Sequence, residues 1–354
     1  MDDQTPQSDR PESARLEASF KQDTDIIQPF QLEATNLRGR LVRLDEVLDD
    51  ILGRHDYPLV ISDLLAEALT VTVVLSSALK YQGIFTLQTR GDGAVPMLVT
   101  DVTSDGKLRG YAKFDEEKLA ELLKDVELDG ERPSHAIGLN KLLGKGYLAF
   151  TVDQGDHTER YQGITELTGD SIADCTVNYF KQSEQLDTGV SVKVQHHHGH
   201  WRAGGLMLQR MPDDQEAIVQ RRLGNDEEDG WRRAMVMLGS LTTDEMVDAG
   251  LPANDLLYRL FNEDGVRVFE RSAVERECRC NEVKIRRMLK GLPPDALKDM
   301  ALPVEGEDGA DNPDTVDGKA LEVTCEFCST LYAVPLGDIL RDDMTIKDFK
   351  DDDG

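Results

Sequence analysis

The sequence predicts an α+β fold: an N-terminal core domain of mixed sheet and helix, a helical linker, and a small C-terminal domain organised by cysteines. Three observations carry this reading. Between Gly83 and Phe114 the apolar residues alternate with a period near two, giving three strands separated by turns. Between Pro58 and Lys80 runs a long apolar stretch of helical length. After Pro212 charged, helix-forming residues replace the strand formers, and four of the five cysteines follow at 278, 280, 325 and 328.

Residues 1–27 open with DDQTPQSDRPESARLE, polar and proline-containing, and read as a disordered tail. The core domain is expected over 28–212. Its first segment, PFQLEATNLRGRLVRLDEVLDDIL, reads as a strand followed by a helix with Leu44, Val47, Leu48 and Ile51 on one face. The 58–80 stretch carries Asp63 and Glu67, and its uncharged run falls short of the roughly twenty apolar residues of a membrane span. It is therefore expected to be a buried core helix, and no membrane partner is expected. Turns are expected at Gly91-Asp92-Gly93 and Asp105-Gly106. The first is not followed by the helix opening of a phosphate loop, so it reads as a plain turn.

A short helix is expected at 115–126, a strand through KGYLAFTVD, and a helix over 170–185. Ile172, Cys175, Val177, Tyr179 and Phe180 are the apolar members of that helix. Cys175 reads as a buried structural thiol, with a sensing thiol as the alternative. Strands follow at 189–197 and through Leu206 and Leu208. His196, His197, His198 and His200 close the first of these. Neighbouring strand residues alternate sides, so a single metal site can use only some of them. A surface role is the simpler reading and metal binding the alternative.

Residues 213–265 read as a helical linker broken at Gly224, Gly230 and Gly250. Thr242 and Glu245 fit a capping box, and Leu256, Leu257, Leu260 and Phe261 recur at helical spacing. The segment is highly charged yet studded with Met235, Met237, Leu238 and Met246, so it can dock on a neighbour or come loose. The cysteine-bearing domain is expected over 266–345 and an acidic tail over 346–354.

A net charge of −28, from 40 basic and 68 acidic side chains, repels phosphate backbones and argues against nucleic acid. No charged-then-apolar leader opens the sequence, and the few cysteines suit a reducing compartment, so a cytoplasmic location is expected. No Ser-His-Asp or paired-carboxylate arrangement stands out, and no enzymatic activity is expected.

The cysteines form a CxC, Cys278 and Cys280, and a CxxC, Cys325 and Cys328. Two such pairs complete a tetrahedral set of four thiolates, which suits one Zn²⁺. LEVTCEFCSTLYAV reads as strand, turn, strand with the CxxC at the turn, whereas a thioredoxin-type CxxC opens a helix. Structural zinc contributes roughly 10–16 kcal/mol in small peptides, comparable with the stability of a whole domain, about 5–15 kcal/mol. Oxidising the thiolates therefore removes most of the reason such a domain folds, and the site can be a switch as well as a staple. The acidic loop 303–319 reads as mobile, and its length costs little extra in loop closure.

Several motifs resemble the 33 kDa chaperonin family, the redox-regulated heat-shock holdases of bacteria. They are GKGYLAFTVD with ERYQGITELTGDSIADCTVNYFKQSEQLDT, RAGGLMLQRMP, LLYRLFNEDGVRVFERSAVERECRCNEVK and VTCEFCSTLY, in the family's order between about Gln28 and Leu340. The resemblance implies a reduced, zinc-bound, inactive state. It implies that oxidants form Cys278–Cys280 and Cys325–Cys328 disulfides, release zinc and unfold the zinc domain and linker. Exposed apolar surface then holds unfolding client proteins without ATP, often as a homodimer. The spacing between the cysteine pairs is longer than the family's usual one, and the N-terminal tail is extra. Two other readings stay open on the residues alone: a thiol-disulfide oxidoreductase, which the hairpin context disfavours, and a constitutive zinc-ribbon adaptor.

Overall fold

A computed structural model describes residues 23–124, 126, 132–155, 160–211, 226–303 and 318–340. Residues 1–22 of the expected N-terminal tail, the acidic tail and most of loop 303–319 lie outside these residues; residues 23–27 of that tail are ordered instead, with Asp23 buried and Ile26 and Ile27 opening the first strand, whose apolar side chains belong to the core. The chain forms two compact units, Met1–Glu277 and Cys278–Gly354.

The first unit begins with β1 (Ile26–Leu32) and β2 (Leu37–Leu44), followed by α1 (Glu46–Leu52) and α2 (Leu59–Ala78). One strand was the expectation before α1; there are two, because Asn36 takes a left-handed φ of 52° and turns the chain back. Asn is among the few non-glycine residues that accept this conformation. Strands β3 (Ile84–Gly91), β4 (Met97–Thr103) and β5 (Lys107–Lys113) fall where the period-two pattern places them. Then come α3 (Glu116–Leu123), two short helices α4 (Pro133–Ile137) and α5 (Leu139–Leu143), β6 (Gly146–Asp153) and β7 (Tyr161–Glu166). The Gly91-Asp92-Gly93 turn packs on α5, where a Cβ on Gly91 would lie 1.9 Å from the Leu143 carbonyl oxygen.

The expected 170–185 helix divides into α6 (Ile172–Tyr179) and a single π turn, Phe180–Glu184, ended by Gln185 at φ 54°. Tyr161 and Tyr179 both donate their hydroxyls to Glu184 across this wider turn. The strands β8 (Thr188–His197) and β9 (His200–Arg210) follow as an antiparallel hairpin.

The linker segment holds α7 (Asp226–Ser240), α8 (Thr243–Val247) and α9 (Ala253–Phe261). Gly230 does not break α7: it is a packing glycine, whose added Cβ would lie 2.4 Å from Thr35 Cγ2. Gly250 does separate α8 from α9, and the Thr242–Glu245 capping box forms at the start of α8. Gly224 lies outside the described residues.

The strands build two sheets. One runs β10 (Val266–Val268), β1, β2, β9, β8, with β11 (Ser272–Ala273) also on β1; the other runs β12 (Glu275–Arg276), β5, β4, β3, β6, β7. Helix α2 packs against strands of both, and every residue from Val60 to Ser76 is buried. Among the described residues it is the one helix long and apolar enough to cross a membrane; with 94% of its apolar window buried it is a core helix. The other face of the first sheet carries a second core, where Phe30, Leu41, Leu206 and Leu208 meet Leu238, Met246, Leu257 and Phe261 of α7–α9.

The expected domain boundary at 266 differs from the observed one. Residues 266–277 are a strap stitched to the first unit through β10, β11 and β12, with Val274 N–H on the Asp25 carbonyl (2.8 Å) and Glu277 N–H on that of Leu108 (3.1 Å). The second unit accordingly begins at Cys278. It contains α10 (Glu282–Lys290), α11 (Pro294–Met300), β13 (Leu302–Pro303), β14 (Lys319–Thr324), β15 (Leu331–Pro335) and α12 (Leu336–Leu340). The three strands form one sheet, and the core is small: Leu289, Leu297, Leu321, Val334, Leu336 and Ile339.

Candidate metal centre

Two local structures of the second unit deliver the four cysteines. Cys278 and Cys280 lie in the extended segment just before α10. Asn281 ends that segment as the N-cap of α10, its side chain accepting from Lys284 N–H at 2.8 Å. The Lys284 ammonium reaches back to the Arg279 carbonyl between the two thiols, 3.2 Å away. Cys325 and Cys328 lie in the turn between β14 and β15, as the hairpin pattern predicts. The Cys325 carbonyl accepts from Cys328 N–H (3.3 Å) and Ser329 N–H (2.8 Å), and Ser329 takes a φ of 54° to close the loop.

The four sulfur atoms lie within 4.8 Å of one another, a set that can hold a metal ion. Two of the approaches run across the two segments: Cys278 to Cys325 at 3.7 Å and Cys280 to Cys328 at 3.4 Å. Four sulfurs about 2.3 Å from a tetrahedral ion are separated by about 3.8 Å, so the donor set fits a thiolate-preferring ion such as zinc. Cys328 is buried and the other three are half-buried.

The surroundings act on the sulfurs in both directions, burial opposing negative charge and hydrogen bonds favouring it. The Tyr332 hydroxyl donates to Cys280 at 3.2 Å, which raises its own pKa. Burial raises the Cys325 thiol to about 12, against an N–H from Phe327 that lowers it. Burial raises Cys280 as well, opposed by the Tyr332 hydroxyl. At Cys328 burial is outweighed by hydrogen bonds to the Thr330 hydroxyl and N–H, and the thiol is lowered to about 6. Such outer partners orient and tune ligands. Neither Tyr332 nor Thr330 was legible in the sequence; the only signal for either is position just after the CxxC turn.

The other candidates fall elsewhere. Cys175 is fully buried, donates to the Thr168 carbonyl at 3.2 Å, and is raised by burial to about 11, the profile of an unreactive structural thiol. The histidines do not converge on one point: His196 stacks on Trp201 (4.4 Å between centroids), His197 lies against His198 (3.9 Å), and His200 binds Asp49. Among the described residues only the four cysteines bring three or more metal-ligand atoms together.

Known proteins share this organisation. The family described as Hsp33 protein matches residues 25–335. A 33 kDa chaperonin of Caulobacter vibrioides is 36% identical over 312 residues, covering 87% of this chain and 94% of the relative. One from Pseudomonas fluorescens is 31% identical over 321 residues, 90% and 93% of the two chains. The crystal structure of the 33 kDa chaperonin (heat shock protein 33 homolog) of Thermotoga maritima shares the fold with a TM-score of 0.68 at 22% identity, covering 89% of this chain and 97% of that one. With the cysteine pairs, the glycine-bearing hairpin and the helical linker all lying inside the matched span, the chain belongs to the Hsp33 family.

Proposed function

We propose that this chain is a redox-regulated, ATP-independent holdase chaperone of the cytoplasm. The observation that carries the reading is the convergence of four thiols, two from each of two segments, in a chain of this family. Cys278, Cys280, Cys325 and Cys328 are the ligands of one Zn²⁺ in the reduced, inactive state. Zinc bound there supplies the cross-link that holds the segment before α10 to the β14–β15 turn.

Each of two hydrogen peroxide molecules takes two electrons from one thiol pair. The Cys278–Cys280 and Cys325–Cys328 pairs, as thiolates, close S–S bonds, and each peroxide takes up two protons from the solvent and leaves as two waters. This consumes every metal ligand. The pairing matters physically. Disulfides along the contacts between segments, 278 with 325 and 280 with 328, would keep the two segments joined. Disulfides within each pair sever them, and a unit with so small a core then loses its fold. Release of α7–α9 from the sheet exposes Phe30, Leu41, Leu206 and Leu208 together with the apolar faces of the helices. That surface takes unfolding client proteins, and the oxidised chain works as a homodimer. Neither nucleic acid nor membrane is a partner, and no enzymatic step is required.

The test is light scattering of a chemically unfolded client diluted into zinc-loaded reduced protein and into peroxide-treated, gently warmed protein. Suppression of aggregation only after oxidation is expected. Equal suppression in both states overturns the gate, and no suppression in either overturns the chaperone.

A further inference from the structure

We propose that the tip of the β8–β9 hairpin is a second metal site, taking a divalent transition-metal ion through imidazole nitrogens of His197 and His200. Three features of the hairpin lead there. His198 and Gly199 both take left-handed backbone conformations (φ 51° and 84°) and form a two-residue turn, so His197 and His200 are directly opposed across the strands. Opposed residues share a face with Cβ atoms about 4.5–5.5 Å apart. Two imidazole nitrogens on a tetrahedral ion at about 2.0–2.1 Å are about 3.3 Å apart, a bite within the span of two histidines whose Cβ atoms are so spaced.

His200 is already oriented. Its Nδ1 lies 2.9 Å from Asp49 Oδ2. A carboxylate oxygen accepts, so Nδ1 carries the hydrogen, and in the neutral ring Nε2 is the nitrogen with a free lone pair. Asp49 is itself held: it lies in α1, and its other oxygen accepts from Trp201 N–H at 2.8 Å. A carboxylate holding the far nitrogen is the usual support of a metal-binding histidine. The site is also open to an aqua ion, the His200 side chain being 69% exposed. His196 is not a ligand, because as the strand neighbour of His197 it points to the opposite face, where it stacks on Trp201; His197 must turn from its contact with the His198 ring, 3.9 Å away, to bind. Water completes the coordination, and the ion is of the class that takes imidazole: zinc, copper or nickel. Having no thiol, this site is untouched by oxidation of the cysteines.

Calorimetric titration of the full-length chain with Zn²⁺ tests the assignment, independently of the chaperone reading. The chain is expected to bind one equivalent more than the His197→Ala/His200→Ala double variant. Each single variant should weaken that equivalent at least tenfold, and Asp49→Asn by about 10–100-fold. His196→Ala and His198→Ala should leave it within about threefold. The imidazole ¹⁵N resonances of His197 and His200 should move with the same equivalent. Equal zinc binding by the chain and the double variant overturns the site. An unchanged Asp49→Asn variant overturns the assignment of His200 Nε2 as an oriented ligand.

Discussion

Asp63 and Glu67 lie on the buried helix α2, in a position where a lone carboxylate is costly. Arg132 forks to both, 2.8 Å from each, while Ser134 N–H meets Asp63 at 3.0 Å and Ala173 N–H meets Glu67 at 3.2 Å. Burial pushes Glu67 up, but His135, Arg132 and the Ala173 N–H together hold it below the usual range. Arg132→Ala leaves two buried carboxylates without their cation. It should destabilise the first unit by about 3–5 kcal/mol, read as a lower denaturant midpoint. Asp25 behaves oppositely. Burial raises its pKa to about 6 although it accepts from Asp45 N–H (2.7 Å) and Val47 N–H. The folded chain therefore holds this proton more tightly than the unfolded one. The stability it contributes is present below about pH 4 and lost as pH rises to about 6. Asp25→Asn, which keeps the left-handed φ of 52° tolerable, should remove roughly 2–3 kcal/mol of that slope. Denaturation midpoints across pH 4–6 read it directly.

Two adjacent glycines in β9 let secondary elements close on both faces of one strand. A Cβ on Gly204 would lie 2.3 Å from Met246 of α8, and one on Gly205 would lie 2.6 Å from Val74 of α2. Gly204→Val should overpack the α8 face at a cost of about 1–3 kcal/mol and loosen the linker helices. The expected outcome is several-fold higher suppression of client aggregation by the reduced variant, with its cysteines and zinc content unchanged. An unaltered reduced state would separate linker docking from activity. Elements of this kind were unevenly legible. The hairpin around Cys325 and Cys328 and the capping box at Thr242 were readable because each rests on neighbours in sequence. The strap at 266–277 was not, since its strands are two or three residues long and exist only through pairing with β1 and β5. Gly230 misled because a packing glycine and a helix break look alike until Thr35 is seen against it. The ion cluster at Asp63 stayed hidden because Arg132 is 69 residues away in the chain.

At the scale of the whole molecule the two units rest on different foundations. The first has two apolar cores built on sheets and helices; the second, among its described residues, has one core cluster of six buried apolar side chains and a thiol cluster. With zinc held as proposed, chelation under reducing conditions should therefore unfold the described residues of the second unit while those of the first persist. Amide hydrogen exchange would show loss of protection in α10 and β14–β15 only; uniform protection after chelation would mean the small core suffices by itself. The strap gives the linker a further property. Helices α7–α9 leave the chain from Arg210, the end of a strand paired on both sides, and return to it at Val266, where β10 is paired with β1. A linker anchored at both ends cannot diffuse away when its helices let go. Its return to the sheet is a first-order event, governed by a local concentration that dilution of the protein does not change. On the function proposed above, a client would therefore be held in competition with the chain's own helices, a competition that dilution does not shift.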